Sequence, residues 1–193
     1  VVAAGLNPVA VETELIALSR ALAPEKGTVL ILDFGAASTD IAIAKNTLLS
    51  FSRSVPIAGE ALTRAVAQTL GINATQAEEY KRTYGLTEEV LEGKIAAVLK
   101  PVLNVILTEV KKAISFYQTK NFEDITPKRI ILSGGSAKLP GIAIFFTQEL
   151  GIEAEIANPW GKIKLEKNLL KNQLENVPLY SVATGLALRV YGD

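Results

Sequence analysis

The segment Leu30-Ile31-Leu32-Asp33-Phe34-Gly35-Ala36-Ala37-Ser38-Thr39-Asp40 delivers the Asp33 carboxylate, one glycine and two hydroxyls into a tight turn between apolar runs. Each residue type has a definite chemistry. The Asp33 carboxylate can hold a hydrated magnesium ion, Gly35 lets backbone approach an anion, and the Thr39 hydroxyl can donate to a phosphate oxygen. Together they describe a hairpin able to wrap the phosphates of a nucleotide, although Asp-x-Gly between two strands is also an ordinary turn. A second such turn lies about a hundred residues on. Arg129-Ile130-Ile131-Leu132 runs into Ser133-Gly134-Gly135-Ser136-Ala137-Lys138, and a helix opens at Gly141. Paired glycines at the carboxyl end of a strand allow a phosphate or a flat ligand to touch backbone.

These turns need a scaffold, and the hydrophobic pattern supplies one. After Asn7-Pro8, apolar residues at Val11, Leu15, Leu18 and Leu22 predict a helix closed by Pro24. Thr28 to Phe34, Thr39 to Ala44 and Leu48 to Val55 read as three strands, with Asn46 at the turn between the second and third. Gly59 opens a helical stretch. One helix ends at Gly71 and another, starting at Asn73 or Thr75, ends at Gly85. Thr87 is the expected N-cap of a long helix reaching about Thr119, which Pro101 should kink or divide. A strand at Arg129 to Leu132, a helix at Gly141 to Leu150, a strand at Glu153 to Ala157 and a helix from about Leu179 to Arg189 complete the order. This is an α/β arrangement around one mixed sheet, interrupted by a helical lobe after Gly59.

Composition narrows the chemistry. Among 193 residues there is no cysteine and no histidine. Thiol or imidazole catalysis, disulfides and the usual zinc sites therefore lack their atoms, and a metal here would be a hard cation on oxygen ligands. Lys plus Arg and Asp plus Glu are both 20, so nothing in the charge balance attracts nucleic acid. No apolar stretch reaches the roughly 18 residues a membrane span needs, and no signal peptide opens the chain, which reads as cytoplasmic. The chain also has no methionine, so the reading expects a piece of a longer protein.

The two glycine turns with the intervening lobe resemble the superfamily of actin, heat-shock chaperone ATPases and sugar kinases. Asp33-x-Gly35-x-x-x-Thr39 is similar to its second phosphate loop, and Ser133-Gly134-Gly135-Ser136 to its adenosine loop, with Lys138 where an arginine is usual. Ala77-Glu78-Glu79-Tyr80-Lys81 resembles the helix whose Glu and Lys reach the ribose and base, though alone it reads as a solvated helix face. Ala4-Gly5-Leu6-Asn7 resembles the approach to the first connecting helix and puts Glu14 near the attacking water; a first-turn glutamate is also what the helix dipole favours. Within the superfamily, Ile57-Ala58-Gly59-Glu60-Ala61-Leu62-Thr63, Ala157-Asn158-Pro159 and Ala183-Thr184-Gly185-Leu186-Ala187-Leu188-Arg189 resemble the PilM family of type IV pilus assembly, in its second half.

The resemblance implies an actin-like (ribonuclease H-like) fold, a mixed five-stranded sheet with helices on both faces. In it, residues 1–24 are the end of a first domain with its connecting helix. Residues 25–56 and 86–193 are the core of the second domain, and 57–85 are an inserted, mainly helical subdomain. It further implies ATP and magnesium as ligands. Asp33 would hold the metal, Gly35 and Thr39 would contact phosphate, Gly59 would be a further cofactor-binding residue, and Gly134, Gly135, Ser136 and Lys138 would border adenosine. Glu78 and Lys81 would close over the ribose, and Glu14 with Asp33 would serve hydrolysis. The implied setting is the cytoplasmic face of the inner membrane, reached through the cytoplasmic tail of a PilN-like partner docked on the other half, with self-association left open. An FtsA-like cell-division protein, a sugar- or acetate-type kinase fragment and a fold that has lost its nucleotide stay open beside this reading.

Overall fold

A computed structural model describes residues 2–120, 126–164 and 174–189. Its centre is β1 (Thr28–Phe34), in which every residue except Asp33 is buried. The reason is that both faces of the sheet are covered. Leu30, Leu32 and Phe34 join one apolar core, while Val29 and Ile31 join another on the opposite face. β2 (Thr39–Lys45) and β3 (Leu48–Val55) follow as an antiparallel meander, as the pattern predicts. The turn joining them places Asn46 and Thr47 at φ 52° and 70°, and the Gly27 amide donates to the Asn46 side chain at 2.9 Å.

β4 (Ile130–Ser133) lies parallel to β1, and β5 (Ala154–Ile156) lies parallel to β4. The order across the sheet is β3-β2-β1-β4-β5. In this register Asp33 sits directly between Asp40 on β2 and Ser133 on β4. Both glycine turns therefore emerge at the same end of neighbouring strands. That end is where open α/β sheets bind ligands.

Six helices clothe the sheet among the described residues: α1 (Glu14–Leu22), α2 (Gly59–Leu70), α3 (Ala74–Tyr84), α4 (Lys94–Lys120), α5 (Ile142–Leu150) and α6 (Ser181–Ala187). The larger core gathers Leu62 and Val66 of α2, Ala77 of α3, and Leu99, Leu103 and Ile106 of α4 over the sheet. The opposite face receives α1 through Leu15 and Leu22, and α6 packs on α1. This is the expected mixed five-stranded sheet with helices on both faces. No helix among the described residues is long and apolar enough to cross a membrane.

Several boundaries depart from the sequence pattern. α1 begins at Glu14 and not near Val11, which is 96% exposed. Glu12 is drawn into an ion cluster with Arg20 and Arg189, which holds the chain before Thr13 off the helical path. Thr87 caps nothing: a 3-10 turn at Leu91–Gly93 intervenes, with Leu91 and Glu92 left-handed, and α4 starts only at Lys94. Pro101 neither divides nor ends α4, because it sits inside the continuous helix with its ring exposed to solvent. The expected last helix is part 3-10, over Leu174–Tyr180, before α6. The last residues of the chain, 190–193, and those between α4 and Thr126 lie outside the described set.

Candidate functional site

The strand ends around Asp33 open into a cleft of about 1080 Å³. Its floor is the Asp33–Gly35 turn and the Gly134–Ser136 turn. One wall is built from α2 and α3, and the other from Glu14 with Pro178, Leu179 and Val182. The size, and apolar wall surface set beside a cluster of charged and hydroxyl groups, suit a small polar molecule.

The floor is backbone because glycines keep side chains out of it. Gly134 sits at φ 83°, and a Cβ there would come within 2.4 Å of the Phe34 carbonyl oxygen and 2.8 Å of Asp33 Oδ1. A Cβ on Gly59 would stand 2.7 Å from the Ser136 hydroxyl. Gly134 thus meets Phe34, and Gly59 meets Gly35, main chain against main chain, with the Ser136 hydroxyl filling the space between α2 and the second turn. The Gly59 and Glu60 amides donate to the Gly35 and Ala36 carbonyls at 3.2 and 2.9 Å, pinning the start of α2 to the hairpin loop. The first two amides of α2 are therefore committed to protein. Ser136 adds a third tie, its hydroxyl lying 3.5 Å from the Gly35 carbonyl.

Asp33 is the charged group of the floor. Burial pushes its carboxyl up to about 6, and the charges of Glu14 and Asp40 push the same way against a hydrogen bond from the Ser133 hydroxyl. No basic side chain pairs with it among the described residues. A carboxylate in this state lacks a counter-charge, and a hard cation at this end of the cleft would supply one.

The α2–α3 wall is organised around Lys81, which is 4% exposed. Its ammonium donates to the Gly59 carbonyl at 3.1 Å and the Thr63 hydroxyl at 2.9 Å, and it pairs with Glu78 at 2.6 Å. Three donors meet three acceptors, so the lysine is saturated within the protein. Burial disfavours the charge on Glu78, but hydrogen bonds from Lys81 and Thr63 and the charges of Lys81 and Arg82 outweigh it. The carboxyl is held below its usual range.

Every site residue expected from the sequence lines this cleft except Thr39. Thr39 is fully buried, and its hydroxyl donates to the Ile57 carbonyl at 2.7 Å, bracing β2 against the lead into α2. Two expected roles also change. The Gly35 amide closes its own turn on the Ser38 carbonyl at 3.0 Å, so this residue serves by lacking a side chain. Lys81 holds the wall together rather than reaching out of it. Lys138 lines the far side from an exposed position. The structure adds Thr63, Arg64 and Arg82, whose helical spacing from Gly59, Glu60 and Glu78 could have revealed them. It also adds Pro178, Leu179 and Val182, which carry no signal in the sequence.

The family model described as Type IV pilus assembly protein PilM matches residues 1–191. A solved PilM-PilN type IV pilus biogenesis complex contains a chain 29% identical, with TM-score 0.78, covering 96% of this chain and 54% of that one. The cell division protein FtsA of Pseudomonas aeruginosa is 25% identical over 85% of this chain and 42% of its own length. MreB5 of Spiroplasma citri, solved bound to ADP, shares the fold at 20% identity and TM-score 0.70, over 95% of this chain and 60% of that one. The chain thus spans about half the length of these proteins, and its mixed sheet is the actin-like one. It belongs to the PilM family of type IV pilus assembly proteins.

Proposed function

We propose that the cleft binds a magnesium-bound adenine nucleotide, and that the chain is the nucleotide-binding half of an actin-like scaffold of type IV pilus assembly. The observation that carries this is the floor: two glycine turns with their backbones in contact, beside a carboxylate that has no cationic partner among the described residues. The fit is chemical as well as spatial. Asp33 offers hard oxygen for a water-held magnesium ion, and the glycines of the floor leave room for phosphate. When bound, the ion neutralises phosphate charge that Asp33, Glu14 and Asp40 would otherwise repel. Gly134 to Ser136 and Lys138 border the nucleoside, and Glu78, fixed by Lys81 and Thr63, accepts from ribose hydroxyls.

Support comes also from the neighbour solved with ADP and from the neighbour solved as a PilM-PilN complex. The partner we assign is accordingly a PilN-like cytoplasmic tail, docked on the half of the family that this chain does not span. In this reading the protein works at the cytoplasmic face of the inner membrane, held there by its partner. In this reading residues 57–85 form the inserted lobe and 1–24 lead out of the preceding domain. A cell-division role of the FtsA kind is the second reading, resting on the 25% identity to that protein.

Hydrolysis asks for charge stabilisation on both sides of the triphosphate, and this chain supplies one side. Phosphate release by the isolated chain is expected to be negligible. Isothermal titration with Mg-ATP should give weak binding that Asp33→Ala lowers at least about tenfold, or 1.4 kcal/mol. Equal heats from the two proteins would refute the assignment, and no binding by a protein carrying both halves would favour a fold that has lost its nucleotide.

A further inference from the structure

The chain from Val2 to Thr13 runs over the surface with one residue turned inward. Of these positions only Glu12 is not exposed, while Leu6 and Val9 are each 63% exposed and Val11 is 96% exposed. Among the described residues, no backbone hydrogen bond from positions 2–12 reaches the rest of the fold; the amide of Gly5 donates only to Val2. The Glu12 side chain, by contrast, is 6% exposed and held by two arginines from separate elements. Arg20 of α1 grips it with both guanidinium nitrogens, at 2.6 and 2.7 Å. Arg189, just beyond α6, reaches the same carboxylate at 2.6 Å.

The site of attachment is rigid. Arg20 also donates to the Gly185 carbonyl at 2.7 Å, and a Cβ on Gly185 would fall 1.9 Å from the Ala17 carbonyl oxygen, so α1 and α6 lie in backbone contact. Lys162 fastens the other end of α1, donating to the Arg20 and Ala23 carbonyls at 2.8 and 2.6 Å. The helix pair is therefore closely joined, and Glu14, two residues after Glu12, stands on the cleft wall from the first turn of α1.

We propose that Glu12 is an ionic hook: its carboxylate, shared between Arg20 and Arg189, seats the segment before α1 on the α1–α6 pair and fixes how the chain enters α1 at Glu14. Beyond the main chain at Thr13, this carboxylate is the one side chain of the segment turned inward to the fold among the described residues. The hook is separable from the fold. Its arginines are 26% and 35% exposed, so they can turn to water when the carboxylate is gone, which a fully enclosed pair could not do.

The absence of cysteine makes the test direct. Val9→Cys accepts a single nitroxide label on the exposed segment, and the whole chain is used without nucleotide. Adding Glu12→Gln is expected to narrow the label's spectrum to that of a free segment, and Arg189→Gln, which leaves the Arg20 grip, to narrow it part of the way. Amide exchange at residues 13–17 should rise at least about tenfold while β1 and β4 keep their protection. Raising salt should mobilise the label in the parent and leave the Glu12→Gln protein unchanged, since the screened contact is already lost. A label whose mobility is the same with and without Glu12 would overturn the proposal. So would loosening that spreads equally into β1 and β4, because Glu12 would then be a residue of the fold and not a hook. Nucleotide binding does not enter these measurements, so they stand or fall apart from the proposed ligand.

Discussion

Asp33 shows how a site residue can be unfavourable to the fold that carries it. Its carboxyl is pushed up to about 6 by burial and by Glu14 and Asp40, so the folded state binds a proton that the unfolded chain has already lost. The sign follows from linkage. Below about pH 4 the group is protonated in both states and costs nothing; as pH rises through 6 the folded state must hold a buried charge, and stability falls. Asp33→Asn is therefore expected to stabilise the free chain by roughly 1–3 kcal/mol at pH 7.5 and by close to nothing at pH 4, read from urea unfolding at the two pH values. A gain of equal size at both pH values would count against a buried charge as the cause. Lys81 is the opposite case. It satisfies Gly59, Thr63 and Glu78 at once, so Lys81→Ala should cost about 1–3 kcal/mol, less than a fully buried pair would, because Glu78 is 43% exposed and can rehydrate.

At the scale of elements, the strands were the legible part. β1, β2 and β3 follow their apolar runs closely, and Gly71 and Gly85 end α2 and α3 where the sequence places them. Those signals are local, set by side-chain period and by glycine's freedom at positive φ. What escaped the sequence depends on contacts made across the fold. Thr39 reads as a phosphate ligand until the Ile57 carbonyl is seen above it, and Lys81 reads as a reaching side chain until its three acceptors are in place. Val11 looks helical by spacing because the cluster that stops α1 from extending needs Arg189, 177 residues away from its partner Glu12. Gly185 is the sharpest element-level test. Its missing side chain is what lets α6 lie on the Ala17 carbonyl, so Gly185→Ala should push the helices apart and cost at least about 3 kcal/mol. Thermal melts and the exchange protection of Leu18 to Leu22 would register the separation.

For the whole molecule, the sheet end is the organising fact. β1 and β4 are parallel neighbours, so the Asp33 and Gly134 turns come out together, and α2 is pinned beside them by two backbone bonds to the Asp33 turn, with the side chains of Ser136 and Lys81 adding ties to Gly35 and Gly59. The α1–α6 pair closes the opposite wall and carries the hook that ties in the preceding chain. Most of the cleft is thus preformed, which limits the ordering cost of binding, while one charge stays uncompensated until a ligand brings a cation. The most direct test is an amide NMR titration of the chain with Mg-ATP. The account predicts shifts concentrated at Gly35, Gly59 and Gly134 to Ser136 that vanish in Asp33→Ala. Shifts confined to other surfaces, or the same floor shifts without Asp33, would contradict it.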